Sequence, residues 1–127
     1  MLSESRRPVC HSADLTPGSA TLFHALVRGE ERPCFALRLA DPSSAVVAFV
    51  NICAHRAQPV VVDRAALDEA GRIECRAHGA LYDPRSGECV GGPCEGARLV
   101  PITVREEAGT IWAIDDDLVD DSPYAHD

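Results

Sequence analysis

The chain has 127 residues, 46% of them hydrophobic, and a formal charge of −8. A chain of this size is expected to form a single domain, residues 1–127, which excludes an enzyme built from separate cofactor and substrate halves. Its apolar runs, such as Ala45–Val50 and Pro59–Val62, fall far short of the roughly 20 residues of a membrane-spanning helix.

The N-terminal MLSESRRPVCHSADL pairs two arginines without the apolar stretch of a secretory leader, so a cytoplasmic protein is expected. After the turn Thr16-Pro-Gly18, the spacing predicts a strand over Thr21–Val27. Pro33–Leu39 and Ala45–Asn51 are apolar and rich in β-branched residues, and Asp41-Pro-Ser-Ser44 separates them, which is a hairpin pattern. Arg64–Ala70 reads as one helical turn closed by Gly71. Leu99–Arg105 and Thr110–Asp115 read as two strands joined across Glu106–Gly109. Many short strands, frequent turns and no long helical period imply an all-β sandwich or barrel.

The tail, about residues 115–127, holds six of the twenty acidic residues and has the composition of a solvated end. Without it, twelve arginines face fourteen acidic residues and the body is near neutral. No basic face emerges, so nucleic acid is not an expected partner.

The informative segment runs over about residues 51–95. It holds Cys53-Ala-His55 and, after nineteen intervening residues, Cys75-Arg-Ala-His78-Gly79. Each half offers one thiolate and one imidazole on a tight loop, and residues i and i+2 of a strand share a face. Two such loops supply two sulfur and two nitrogen ligands. Zinc accepts that set, but its usual spacings pair Cys with Cys and His with His, two to four residues apart within a cysteine pair. A Rieske [2Fe–2S] centre instead takes two cysteines on one iron and two histidines on the other.

Asn51-Ile-Cys-Ala-His-Arg56, Cys75-Arg-Ala-His-Gly79, Leu81-Tyr-Asp-Pro-Arg-Ser-Gly87 and Gly91-Gly-Pro93 together resemble Rieske proteins of the small ferredoxin type. The resemblance covers nearly the whole chain. It implies a Rieske-type antiparallel β-sandwich with a cluster-binding subdomain, about residues 51–95, at one tip. It further implies that Cys53 and Cys75 bind one iron and that His55 and His78 bind the other through Nδ1. Gly91-Gly92-Pro93 would be the loop that covers the cluster. Respiratory members carry a disulfide between their ligand loops, but its positions here are Gln58 and Ala77, so that bridge is absent. High-potential members place a serine where this chain has Ala80, and a tyrosine where it has Tyr82.

Of the remaining cysteines, Cys10 and Cys34 lie in strand-like runs and are expected to be buried. Cys89 and Cys94 flank the Gly-Gly-Pro loop. In a cytoplasmic protein they are expected as thiols, with a mutual bridge as the lesser alternative. Two ferric ions, two sulfides, two thiolates and two imidazoles sum to zero formal charge, against minus two for an all-cysteine cluster. Rieske centres accordingly span about −150 to +300 mV, above plant-type ferredoxins.

The resemblance therefore implies a one-electron carrier between a reductase and an oxygenase, a monomer or weak oligomer with redox proteins as partners. The alternative is a non-catalytic Rieske subunit or redox-sensing accessory of a larger oxidoreductase. An oxygenase needs a second iron site beyond the cluster, for which this length leaves no room. The expected role is that of an electron-transfer component rather than a stand-alone enzyme.

Overall fold

The computed structural model describes residues 6–27, 29–40, 42–52, 67–68, 71–75, 79–92 and 96–114. Among the described residues nine strands account for nearly all the regular structure: β1 (Arg6–His11), β2 (Ala20–Val27), β3 (Glu30–Arg38), β4 (Val46–Val50), β5 (Ile73–Cys75), β6 (Ala80–Tyr82), β7 (Cys89–Gly91), β8 (Val104–Glu107) and β9 (Thr110–Ile114). They form three antiparallel sheets, ordered β1-β9-β8, β2-β3-β4 and β5-β6-β7. No helix among the described residues is long and apolar enough to cross a membrane.

The central sheet explains the layering. In β3, Cys34, Phe35, Ala36 and Leu37 are all buried, because this strand is covered on both faces. Alternate residues point opposite ways. Cys34 and Ala36, with Ala48 and Val50 of β4, join Ile102, Ile111 and Ala113 in one core against the β1-β9-β8 sheet. Phe35, Leu37 and Phe49 face the other way and meet Ile73, Cys75, Ala80, Tyr82 and Leu99. The second core thus seats the β5-β6-β7 sheet. Its seam is tight: Phe49 and Phe35 rings lie 5.8 Å apart, and a Cβ on Gly87 would stand 2.8 Å from the Phe49 ring.

Arg38, at the end of β3, is only 9% exposed. Its guanidinium donates to the carbonyls of Leu15 (2.5 Å), Ser44 (2.7 Å) and Ser12 (3.3 Å), and pairs with Glu106 of β8 at 2.7 Å. A buried cation is tolerated only when so fully partnered. Arg38 therefore fastens the β1–β2 connection and β8 to the central sheet.

The predicted hairpin appears as β3–β4, and Thr21–Val27 lies within β2. Two expectations need correction. The strand predicted from Leu99 starts only at Val104. Before it the chain bonds alternately to two partners: Leu99 donates to Gly87, while Val100 accepts from Val50 and Ile102 donates to Ala48. The turn beyond β8 is also tighter than expected, because Ala108 (φ 53°) and Gly109 (φ 81°) make a two-residue loop and let β8 reach Glu107. Of the predicted helical turn Arg64–Ala70, only Leu67 and Asp68 are described. There Leu67 bridges Ile73, and the Gly71 N–H donates to the Asp68 carbonyl; the rest of the predicted turn lies outside the described residues.

Candidate metal centre

The site is built on the β5–β6 hairpin. Ile73 pairs with Tyr82, Glu74 with Leu81 and Cys75 with Ala80. Ile73, Cys75, Ala80 and Tyr82 share the inner face and are all fully buried, whereas Glu74 and Leu81 are half-buried on the other side. The Cys75 sulfur thus lies on an apolar surface at the strand's end, where the second predicted ligand loop begins. That loop's far end is tied back, because the Gly79 N–H donates to the Cys75 carbonyl at 2.8 Å.

A third segment presses on this hairpin. Gly91 of β7 pairs with Leu81. Gly92 then takes φ +84°, and a Cβ there would overlap the Gly79 carbonyl oxygen and stand 3.0 Å from the Ala80 Cα. The loop and the hairpin approach so closely that only glycine fits. A cleft of about 320 Å³ opens beside this contact, lined among the described residues by Cys89, Val90, Gly91 and Gly92.

The approach to the first predicted ligand loop is also fixed. Asn51 is 5% exposed, and its backbone N–H donates to the Pro33 carbonyl at 2.8 Å. Cys53, His55 and His78 lie outside the described residues, as do Arg56, Arg76, Pro93 and Cys94. Of the four predicted ligands the structure therefore describes Cys75 alone. Among the described residues, no group of three or more His, Cys, Asp or Glu side chains gathers as a metal site.

The chemistry of Cys75 fits a metal-bound sulfur. A thiolate in apolar surroundings is costly without a neutralising partner, and metal coordination supplies one. Cys34 is buried as fully as Cys75, in the other core. It is 1% exposed, and burial pushes its thiol pKa up to about 11, so it stays protonated and inert. The expectation that Cys34 is a core residue holds. Cys10 is half-buried rather than buried, because β1 is an edge strand with a bulge between Pro8 and Cys10.

Cys89 departs from expectation. It is disulfide-bonded, not a thiol, whereas Cys10, Cys34 and Cys75 keep their thiols. Its partner lies outside the described residues. The Cys89 N–H donates to the Ala97 carbonyl at 3.0 Å.

The Rieske [2Fe–2S] domain profile matches residues 5–116. The ferredoxin of carbazole 1,9a-dioxygenase from Nocardioides aromaticivorans IC177 is similar in fold, with a TM-score of 0.64 and 24% identity over 87% of this chain and 97% of that one. The quaternary ammonium Rieske monooxygenase CntA, in complex with an inhibitor, gives a TM-score of 0.66 and 24% identity over 93% of this chain. The match covers 34% of the CntA chain, so the present chain spans about a third of that monooxygenase. A complex of reduced oxygenase and oxidized ferredoxin in carbazole 1,9a-dioxygenase matches with a TM-score of 0.64 and 20% identity, over 86% of this chain and 92% of that one. No curated protein sequence is significantly similar to the chain.

Proposed function

The chain belongs to the Rieske [2Fe–2S] domain family, and from that premise we propose that it is a one-electron carrier passing electrons from a reductase to an oxygenase. The family's cofactor is a Rieske-type [2Fe–2S] cluster. We assign Cys53 and Cys75 to one iron and His55 and His78 to the other. When bound, such a cluster supplies one reversibly held electron, at a potential raised by its two neutral imidazoles.

The observation that carries this reading is the setting of Cys75: fully buried at the end of β5, on an apolar face, and paired with the Ala80 against which Gly92 packs. Such a sulfur is closed to solvent and to a substrate, which suits a cluster ligand and not a nucleophile. The surrounding residues have distinct tasks. Ala80, directly across from Cys75, presents a methyl group where a serine would offer a hydroxyl, so one hydrogen bond to sulfur is forgone. Tyr82, two residues on along the same face, is buried beside the same sulfur-bearing surface and supplies a phenolic donor. Gly92 holds the covering loop against Gly79 and keeps water from the cysteine side.

The fold of the carbazole dioxygenase ferredoxin, matched over 97% of its length, supports a carrier. The oxygenase–ferredoxin complex shows the kind of partner such a carrier meets. On this reading the chain is one domain and a monomer or weak oligomer in the cytoplasm. A second reading, a Rieske unit within a larger oxidoreductase, is favoured by the match to a third of a monooxygenase chain.

The test begins with protein prepared anaerobically with iron supplied. It should be red-brown, carry two irons and two sulfides per chain, and give a Rieske paramagnetic signal on reduction. Mixed with a reductase of a Rieske oxygenase system, it should accept one electron and return it to the oxygenase. Zinc alone in the purified protein would overturn the proposal. Stable co-purification with a larger subunit would favour the second reading.

A further inference from the structure

Resting on the function proposed above, we infer that Phe49 is a positioning residue for the cluster: braced by residues 99–102, it sets the spacing between the two arms of the chain that carry the assigned ligands. One arm is β4, which runs through Val50 into Asn51 and, two residues on in the sequence, Cys53. The other is the β5-β6-β7 sheet, where Cys75 ends β5. The two arms belong to different sheets, and among the described residues no strand pairing joins them directly.

Residues 99–102 make the connection instead. The Val50 N–H donates to the Val100 carbonyl at 2.8 Å, and the Ile102 N–H donates to the Ala48 carbonyl at 2.9 Å, so this segment lies along β4. At its other end the Leu99 N–H donates to the Gly87 carbonyl at 2.8 Å, which ties it to the turn between β6 and β7. Phe49 lies between the two bonds on β4 and bridges Pro101. Its side chain is 2% exposed and packs in one core with Cys75, Ala80, Tyr82 and Leu99. A Cβ on Gly87 would stand 2.8 Å from the Phe49 ring and 3.2 Å from the Leu99 carbonyl oxygen, so the ring rests on the hairpin backbone where residues 99–102 are tied to it. Phe35 backs the ring from β3, with centroids 5.8 Å apart.

Magnitudes decide what holds the spacing. A hydrogen bond bends by about 30° from its preferred range before it weakens steeply, so three such bonds leave the arms room to swing. A packed contact forfeits about a quarter to a half of its attraction over a gap of about 0.5–1 Å. Metal–ligand distances hold to within about 0.2 Å. Ligands drawn from both arms therefore need a finer stop than the bonds supply, and the Phe49 ring against Gly87 is that stop.

The test compares folded, iron-loaded variants. Phe49→Leu withdraws the ring and keeps an apolar residue. The paramagnetic signal of its reduced form should broaden and its g values move, because the ligand spacings spread. Its iron should pass to a chelator about fivefold faster or more, the size of effect that losing one core contact has on an opening equilibrium. Phe49→Met, nearer the ring in volume, gives the same comparison if Phe49→Leu does not fold. Ile111→Val trims the other core, and should lower stability in urea while keeping the wild-type signal. Gly87→Ala alone should push on the ring and disturb the signal. In the Phe49→Leu background its methyl has room, so the double variant should lie closer to the wild-type signal than either single variant. An unchanged signal in Phe49→Leu, alongside lower stability in urea, would overturn the positioning role and leave the carrier standing. Additive disturbance in the double variant, or equal disturbance in Ile111→Val, would overturn it too. In cluster-free protein, amide exchange at Leu99 should still quicken in Phe49→Leu, which reads the joint between the arms without iron. Wild-type protein that never takes up two irons would overturn the carrier, and with it any role toward a cluster, even with that exchange quickened.

Discussion

Gly92→Ala should release the cluster without unfolding the protein. Two costs add at this position. An L-residue at φ +84° is left-handed, which costs about 1–2 kcal/mol. The new Cβ would also overlap the Gly79 carbonyl oxygen and crowd the Ala80 Cα at 3.0 Å. Both obstacles are backbone, so they yield only if the loop lifts, and forced packing of this kind costs about 1–3 kcal/mol. The total of about 2–5 kcal/mol is smaller than the stability of a typical domain, about 5–15 kcal/mol. It acts on the contact that covers the cluster, and raises the open fraction about 30-fold or more at 1.4 kcal/mol per decade. Gly109→Ala is the control. Gly109 has a nearly identical φ of 81° but no atom within 4 Å of its Cβ site, so it pays the first cost only. The assay pairs urea unfolding with the decay of visible absorbance in chelator. Gly109→Ala should lose stability and hold its cluster at the wild-type rate, while Gly92→Ala should lose cluster at least tenfold faster. Equal decay rates in the two variants would refute the reasoning.

Cys75→Ser and Cys53→Ser should each abolish the iron–sulfur absorbance, whereas Cys34→Ser should keep it, since the Cys34 thiol lies in the other core. Ala80→Ser should raise the midpoint potential and Tyr82→Phe lower it, with the wild type in the lower half of the range of about −150 to +300 mV. Protein-film voltammetry reads all three, and a wild-type midpoint above about +150 mV would contradict this reading. Arg38→Ala strands the carbonyls that Arg38 satisfies at Leu15, Ser12 and Ser44, and should cost about 2–4 kcal/mol in urea unfolding. The Arg38 guanidinium holds the Glu106 carboxyl below its usual pKa, so this pair adds stability above about pH 4.5 that is lost as pH falls through the lowered value. Because Glu106 is largely exposed, that share is about 0.5 kcal/mol or less. Glu106→Gln should be slightly less stable than wild type at pH 7 and lose less on acidification to pH 3.

The strands that sequence reveals best are those whose side chains report burial directly. Pro33–Leu39 and Ala45–Asn51 are apolar throughout because both faces of the central sheet are covered, and a continuous apolar run is the expected trace of that. β1 left no such trace. Its Arg6, Arg7 and Pro8 look like a polar end, yet they form an edge strand. There Arg6 pairs with Glu107 at 2.9 Å and lies over the Trp112 ring, while Pro8 sits beside a bulge that a proline tolerates. The strands of the site, β5 to β7, are three residues each, too short for any period to show. There the legible signal was chemical: Cys75 stood out as a candidate ligand, and Gly79 as a turn, where it takes φ 74°. That Gly92 seats on Gly79, and that Phe49 fills the space above Gly87, depend on contacts between segments far apart in the chain, which no local pattern records.

The Phe49–Gly87 seam bears on how fast an electron can move. Transfer is quickest when the surroundings of the redox centre hardly rearrange between its two oxidation states, because the protein dipoles are then already set. The sheet that holds Cys75 rests on the central sheet through a packed core in which the Phe49 ring lies against the bare backbone of Gly87. Close-packed contacts of this kind barely compress. A mount so packed behaves as a rigid bracket, and the energy needed to reorganise it should be small. A larger residue at position 87 would act as a shim: it would tilt the bracket and slow electron exchange even with every ligand in place.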